Sequence, residues 1–252
     1  MAAKVEPALL KRMLGGSTDS YHRLVIEMAH RADLDSLPRD QSREKRHSTV
    51  VGHLQQTASE IQADLLAFLQ EEKAKGRVRE IQPFWIFNGI AVTADSSTVL
   101  NLAARQDIGA IREDRWRQWI DPLAISDPDF IFSSSEPWNI LQIQADRAWD
   151  ALGLDGSGVT IAIMDTGVDW QHPALQAQYR GYKEGGLAIH QGNWLCTTDE
   201  GYLYPVDGNG HGTHVAGIAV GSLDDQGQAI GVAPGAQWIA VKMLNNGCFG
   251  YD

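Results

Sequence analysis

The sequence predicts an α/β protein in two parts, a small α+β part of β-α-β-β-α-β order followed by a parallel sheet flanked by helices. Three observations predict it. Of 25 glycines, 6 fall in residues 1–150 and 19 in residues 151–252, while 18 of 21 lysines and arginines lie before residue 151. A charged first part therefore precedes a glycine-rich part whose backbone turns tightly and packs closely. Residues 48–76 carry a helical apolar repeat, and residues 159–164 and 238–244 are nearly all apolar, as in strands covered on both faces.

In the first part, Leu24, Val25 and Ile26 form a short strand-like run. Val50, Leu54, Ile61, Leu65 and Phe68 recur at helical spacing between a cap at Ser48 and a stop at Gly76. Residues 78–87 and 90–94 read as strands joined by Asn88-Gly89, the pair favoured by a two-residue type I′ turn. A helix over 97–105 and a strand over 110–113 complete the split βαβ, ferredoxin-like order.

Residues 114–136 hold Pro122, Pro128 and Ser133-Ser134-Ser135, and read as an exposed linker. In the second part, 145–152 is a short helix, 159–164 a buried strand, 211–220 a helix with Val215 and Ile218 inward, and 238–244 a further buried strand. The expected division is an N-terminal extension (1–20), a small α+β domain (21–113), the linker (114–136) and the sheet domain (137–252).

Charge and hydropathy exclude some functions. A net charge of -11 disfavours nucleic acid and anionic membranes, and the basic cluster at 39–47 is interrupted by Asp40 and Glu44, as in a solvated loop. No run approaches the roughly 20 apolar residues of a membrane span, and residues 1–16 show no secretory signal. Cys196 and Cys248 lack metal-type spacing; the sequence leaves a disulfide between them open and favours two unpaired thiols.

Asp165 ends the first buried strand and is followed by Thr166-Gly167, where a parallel sheet presents side chains to a crevice. On its own it reads equally well as a turn cap. His211 stands within Asp207-Gly208-Asn209-Gly210-His211-Gly212-Thr213-His214, at a helix start bordered by glycines. An imidazole exchanging protons near neutral pH needs a carboxylate behind it, and Asp165 is the candidate. His214 lies about one helical turn on and is expected to point elsewhere and help packing. Asp169 reads as a turn cap, His172-Pro173 as a turn seating Leu175, and 182–206 as a surface loop.

Four segments in order, Ile163-Met164-Asp165-Thr166-Gly167-Val168-Asp169, His172-Pro173-Ala174-Leu175, His211-Gly212-Thr213-His214-Val215-Ala216-Gly217 and Gly231-Val232-Ala233-Pro234, resemble the successive signatures of the subtilase family of serine proteases. Trp138-Asn139-Ile140, Tyr179-Arg180-Gly181 and Trp238-Ile239-Ala240-Val241-Lys242 are similar to the bacillopeptidase F type within it. The resemblance covers 136–252. It implies a subtilisin-like parallel sheet and a serine endopeptidase acting on polypeptides, in which Asp165 orients His211 and His211 is the general base toward a serine.

It implies a zymogen, with 21–113 as a pro-domain that acts against its own catalytic domain and 114–136 holding the processing site. Export is suggested by the family alone. No cofactor is required for the chemistry. Some subtilases bind calcium for stability, and Asp207, Asp224 and Asp225 could contribute, without an EF-type loop.

The family's nucleophilic serine is expected in a later segment. Ser222, 11 residues past His211, would sit about 16 Å along a continuing helix, out of reach. The chain is thus expected to supply Asp and His, to end mid-motif before the serine, and to be inactive as it stands. The alternative from a different class is a non-catalytic, protease-inhibiting pro-domain protein with a relic catalytic segment. An aspartic protease would need a second Asp-Thr-Gly, and a helical zinc motif would need a Glu and i, i+4 spacing.

Overall fold

The computed structural model describes residues 4–15, 20–120, 137–183, 185–223 and 228–251. It divides into two compact units, residues 1–115 with 252 and residues 116–251.

The first unit runs α1 (Pro7–Gly15), β1 (Tyr21–Met28), α2 (Arg43–Ala74), β2 (Val78–Phe84), β3 (Gly89–Asp95), α3 (Ser96–Ala104) and β4 (Ile108–Glu113). Its four strands pair antiparallel in the order β2-β3-β1-β4. Alternate residues of the strands face one core, Leu24, Ile26 and Met28 from β1 with Ile90 and Val92 from β3. The helices close that core with Leu65 and Leu69 of α2 and Val99 and Leu102 of α3.

Helix α2 starts earlier than its apolar repeat suggests. Its cap is Ser42, whose hydroxyl accepts the Lys45 N–H at 3.4 Å, rather than Ser48. Burial begins at Ala58, so the first turns, including much of the basic cluster, are a solvated helix rather than a loop. The β2–β3 connection also differs from expectation. It is a four-residue turn, Trp85-Ile86-Phe87-Asn88, with Phe84 paired to Gly89. Asn88 takes φ +52°, its amide donates to the His30 carbonyl at 2.8 Å and its oxygen accepts from Gln62 at 2.9 Å. Those bonds stabilise a left-handed asparagine, and Gly89 stays in strand geometry. Residues 4–15 are no free extension, because Val5, Leu9 and Met13 join the core and Val5 bridges Ile111.

The second unit contains β5 (Arg117–Gln118), α4 (Trp138–Ile143), α5 (Ala145–Leu152), β6 (Thr160–Asp165), β7 (Tyr182–Lys183), β8 (Leu187–Ala188), β9 (Trp194–Cys196), α6 (His211–Val220), β10 (Ser222–Leu223), β11 (Gln228–Ala229), β12 (Gln237–Lys242) and β13 (Phe249–Gly250). A parallel sheet in the order β6-β12-β9 is its centre, with Lys242 level with Asp165 across the β6–β12 pair. Three short antiparallel pairs, β7-β8, β10-β11 and β5-β13, accompany it. The core joins Ile163, Trp238 and Ala240 to Ala216 and Val220 of α6 and to Leu175 and Tyr179.

Three expectations for this unit need correction. Strand β6 is covered on one face rather than two, since Ile163 and Asp165 are buried while Met164 is 60% exposed. Among the described residues, α6 lies over the first face alone. Ile218 points out of α6, and Ala216 and Val220 fill the inward positions. The stretch 182–206 is more than surface loop, because Trp194–Cys196 pairs in parallel with β12 as the third strand. Partly buried Trp194, packed against the core that holds Tyr179 and Trp238, favours that pairing over a solvated loop. No described helix is long and apolar enough to cross a membrane.

Candidate active site

The site lies where β6 ends and α6 begins, at the carboxyl end of parallel strands. Asp165 is the last residue of β6 and His211 the first of α6. Their side chains meet with Asp165 Oδ1 2.7 Å from His211 Nδ1. A carboxylate only accepts, so Nδ1 is the donor and Nε2 is left with the lone pair that takes a proton. The Thr166 N–H also donates to Asp165 Oδ1 at 2.7 Å, which fixes the carboxylate's direction. Asp165 is 8% exposed, in surroundings that strengthen the pair's electrostatics.

Glycine permits the close approach. Gly167 has φ +113°, and a Cβ there would overlap the Val206 carbonyl. Gly212 sits against the Gly167 carbonyl, and its Cβ would lie 3.0 Å from that of Asp165. Any larger residue would wedge α6 away from β6.

Around the pair runs a network that sequence reasoning did not identify. The Thr166 hydroxyl accepts from Gly212 N–H at 3.0 Å and donates to Asp207 at 2.9 Å. Asp207 further accepts from the N–H groups of Asn209, Gly210 and Thr213 and from the Thr213 hydroxyl. Burial pushes the Asp207 carboxyl up, but the bonds from Thr213, Gly210 and Thr166 together outweigh it and hold it below the ordinary value of 3.8. Its one signal in the sequence is its place four residues before His211, where the sequence offers it as a calcium contributor. Five donors occupy its lone pairs, which leaves little capacity for a cation. Asp224 and Asp225 lie outside the described residues. Among the described residues, no three His, Cys, Asp or Glu side chains group as a metal site.

Beneath the pair, Lys242 is fully buried and donates to the Thr166 carbonyl at 2.5 Å and to Asn246 Oδ1 at 2.9 Å, with Glu200 Oε2 3.1 Å away. The acceptors keep this buried ammonium compensated. Cys248 is buried nearby at φ +64°, its thiol pushed up by burial and by the charges of Asp165 and Asp207. Both cysteines are free.

The remaining candidates separate from the site. His214 is exposed on α6 and so does not help packing. Asp169 caps a turn through Gln171 N–H at 3.0 Å, and His172 Nδ1 accepts from Ala174 N–H at 3.2 Å. The α6 helix ends at Val220, so Ser222 lies on β10 at the far end of the helix from His211.

Residues 156–252 match the subtilase family. Bacillopeptidase F of Bacillus subtilis is 38% identical over 208 residues, 80% of this chain and 14% of that protein. Thermitase of Thermoactinomyces vulgaris is 38% identical over 119 residues, 47% of this chain and 37% of its own length. Subtilisin BL of Lederbergia lenta is 40% identical over 112 residues, 44% of this chain and 35% of its own. The chain thus spans well under half the length of each. The crystal structure of an epidermin leader peptide processing serine protease from Staphylococcus aureus superposes with a TM-score of 0.43 at 17% identity, over 90% of this chain and 43% of that one. On the subtilase match and the similarity to bacillopeptidase F, the chain is a subtilisin-like, bacillopeptidase F-like protein.

Proposed function

We propose that this chain carries the Asp and His of a serine-type endopeptidase, with Asp165 as orienting carboxylate and His211 as general base. The observation that carries the reading is the 2.7 Å contact between Asp165 Oδ1 and His211 Nδ1 at the mouth of a parallel sheet. With its Nδ1 proton bound to Asp165, His211 offers Nε2 to a serine hydroxyl, takes its proton during attack on a peptide carbonyl, and returns it to the leaving amine. The serine would come from the full-length protein, and the substrates would be polypeptides.

Residues 21–113 we read as a ferredoxin-like pro-domain that assists folding and blocks the cleft until removed. Their antiparallel β2-β3-β1-β4 sheet, with α2 and α3 packed against its core, supports this. Further support comes from residues 117–118, which pair antiparallel with Phe249–Gly250 as an extended segment would in a protease cleft. Trp119 N–H donates to the Cys248 carbonyl at 2.9 Å, and Cys248 lies within the field of Asp165.

The test is peptide hydrolysis and self-processing by the full-length gene product. His211→Ala is expected to lower kcat by about 10⁶ and Asp165→Asn by about 10⁴, as for other Ser-His-Asp triads, with the pro-segment uncleaved. Self-processing that survives in His211→Ala would assign the base elsewhere.

A further inference from the structure

The Asp165–His211 contact joins segments 46 residues apart, and its length depends on what holds the end of β6 against the start of α6. The N-cap of α6 is Gly210, which has no side chain with which to cap. The acceptor comes instead from Asp207, three residues upstream. One of its oxygens takes Thr213 N–H at 2.8 Å and the Thr213 hydroxyl at 2.6 Å. The other takes Gly210 N–H at 2.9 Å, Asn209 N–H at 3.1 Å and the Thr166 hydroxyl at 2.9 Å.

Thr166 is the link to the opposite side. Its N–H holds Asp165 Oδ1, and its hydroxyl accepts from Gly212 N–H, next to His211. Donating to Asp207 is what orients that hydroxyl to accept from Gly212. A single carboxylate therefore fixes the helix start directly and the strand end through one hydroxyl.

We infer that Asp207 is a positioning residue for the Asp165–His211 pair, its carboxylate setting the spacing of β6 and α6 so that His211 Nδ1 stays within bonding range of Asp165. The catalytic meaning rests on the reading of His211 as general base, whereas the geometry does not. Asp207→Asn is the informative substitution. An amide has one acceptor, so its NH₂ must face either Thr213 N–H or the Gly210 and Asn209 N–H groups, all obligatory donors. One side of the clamp is lost while volume is kept.

The experiment is ring ¹⁵N NMR of the full 252-residue chain, labelled at histidine, at a pH where His211 is neutral. The wild type is expected to hold His211 mainly as the Nδ1–H tautomer. In Asp207→Asn the Nδ1–H to Nε2–H ratio is expected to fall about tenfold, the effect of losing one charge-assisted hydrogen bond. Thr166→Val should lower the ratio in the same direction, and Thr166→Ser, which keeps the hydroxyl, should restore it.

A folded Asp207→Asn chain with the wild-type ratio would reduce Asp207 to an ordinary helix cap and overturn the inference. Should that variant not fold, the Thr166 pair decides, and an unchanged ratio in Thr166→Val overturns it equally. A wild type without the Nδ1–H tautomer would instead sink the Asp165–His211 pairing itself. In the full-length enzyme, Asp207→Asn is expected to lower kcat about tenfold with KM unchanged.

Discussion

Two glycines of α6 make opposite predictions for the same substitution. Gly217 lies in the helix with nothing within 4 Å of the position a Cβ would take. Replacing it by alanine removes backbone freedom from the unfolded chain and should stabilise by roughly 0.5–1 kcal/mol. Gly212 lies in the first turn of the same helix, where the new methyl would overlap the Gly167 carbonyl and sit 3.0 Å from Asp165 Cβ. The neighbour there is backbone, which cannot swing aside, so α6 must lift from β6. Overpacking of this kind costs about 1–3 kcal/mol. Loss of the Gly212 N–H bond to Thr166 adds about 1 kcal/mol. The two variants should therefore differ by about 2.5–5 kcal/mol, with Gly217→Ala above wild type and Gly212→Ala below it. Urea denaturation of the full chain, followed by circular dichroism and tryptophan fluorescence, measures both. If Gly212→Ala stabilises as much as Gly217→Ala, the close approach of helix to strand is not there, and the argument for the site's geometry fails with it.

Trp238→Phe should cost about 2–3 kcal/mol in the same assay, because the fully buried indole N–H donates to the Leu175 carbonyl at 2.8 Å and phenylalanine leaves that oxygen unpaired. Lys242→Met should cost about 2–4 kcal/mol, since it strips the Thr166 carbonyl and Glu200 of a buried cation. The Asp207 carboxyl is held below its ordinary 3.8, so the stability it contributes is whole above that value and is lost as pH falls toward the lowered one. An acid titration of stability should accordingly be steeper in wild type than in Asp207→Ala. Burial pushes Tyr179 from 10.0 up to about 12, with Arg180 pulling slightly back. Its contribution is complete below 10 and lost as pH rises through about 12, so Tyr179→Phe should resist alkaline unfolding in that window, read by fluorescence.

Much of the local structure was legible because it follows from neighbours in sequence. The apolar run at 159–164 gave β6 within one residue, and the glycine-bordered His211 gave the start of α6. The cap at Ser42 was missed because the apolar repeat starts at Val50, and exposed first turns carry no hydrophobic signal. The Asn88-Gly89 turn was misread because that dipeptide favours a tight hairpin, whereas Gln62 and His30, distant in sequence, hold Asn88 in a longer one. Strand β9 was invisible for a related reason. Three residues, Trp194, Leu195 and Cys196, have no period of their own, and it is β12 that supplies their partners.

The sequence by itself determined which residue types stand ready for chemistry, an Asp ending an apolar strand and a His among glycines, since each depends on its own few neighbours. Only the tertiary structure decided that Asp165 and His211 touch, that Thr166 and Asp207 brace them, and that Lys242 lies beneath. Those facts are distances between segments more than 40 residues apart in the chain, set by parallel pairing and helix packing, and no local pattern of side chains encodes them.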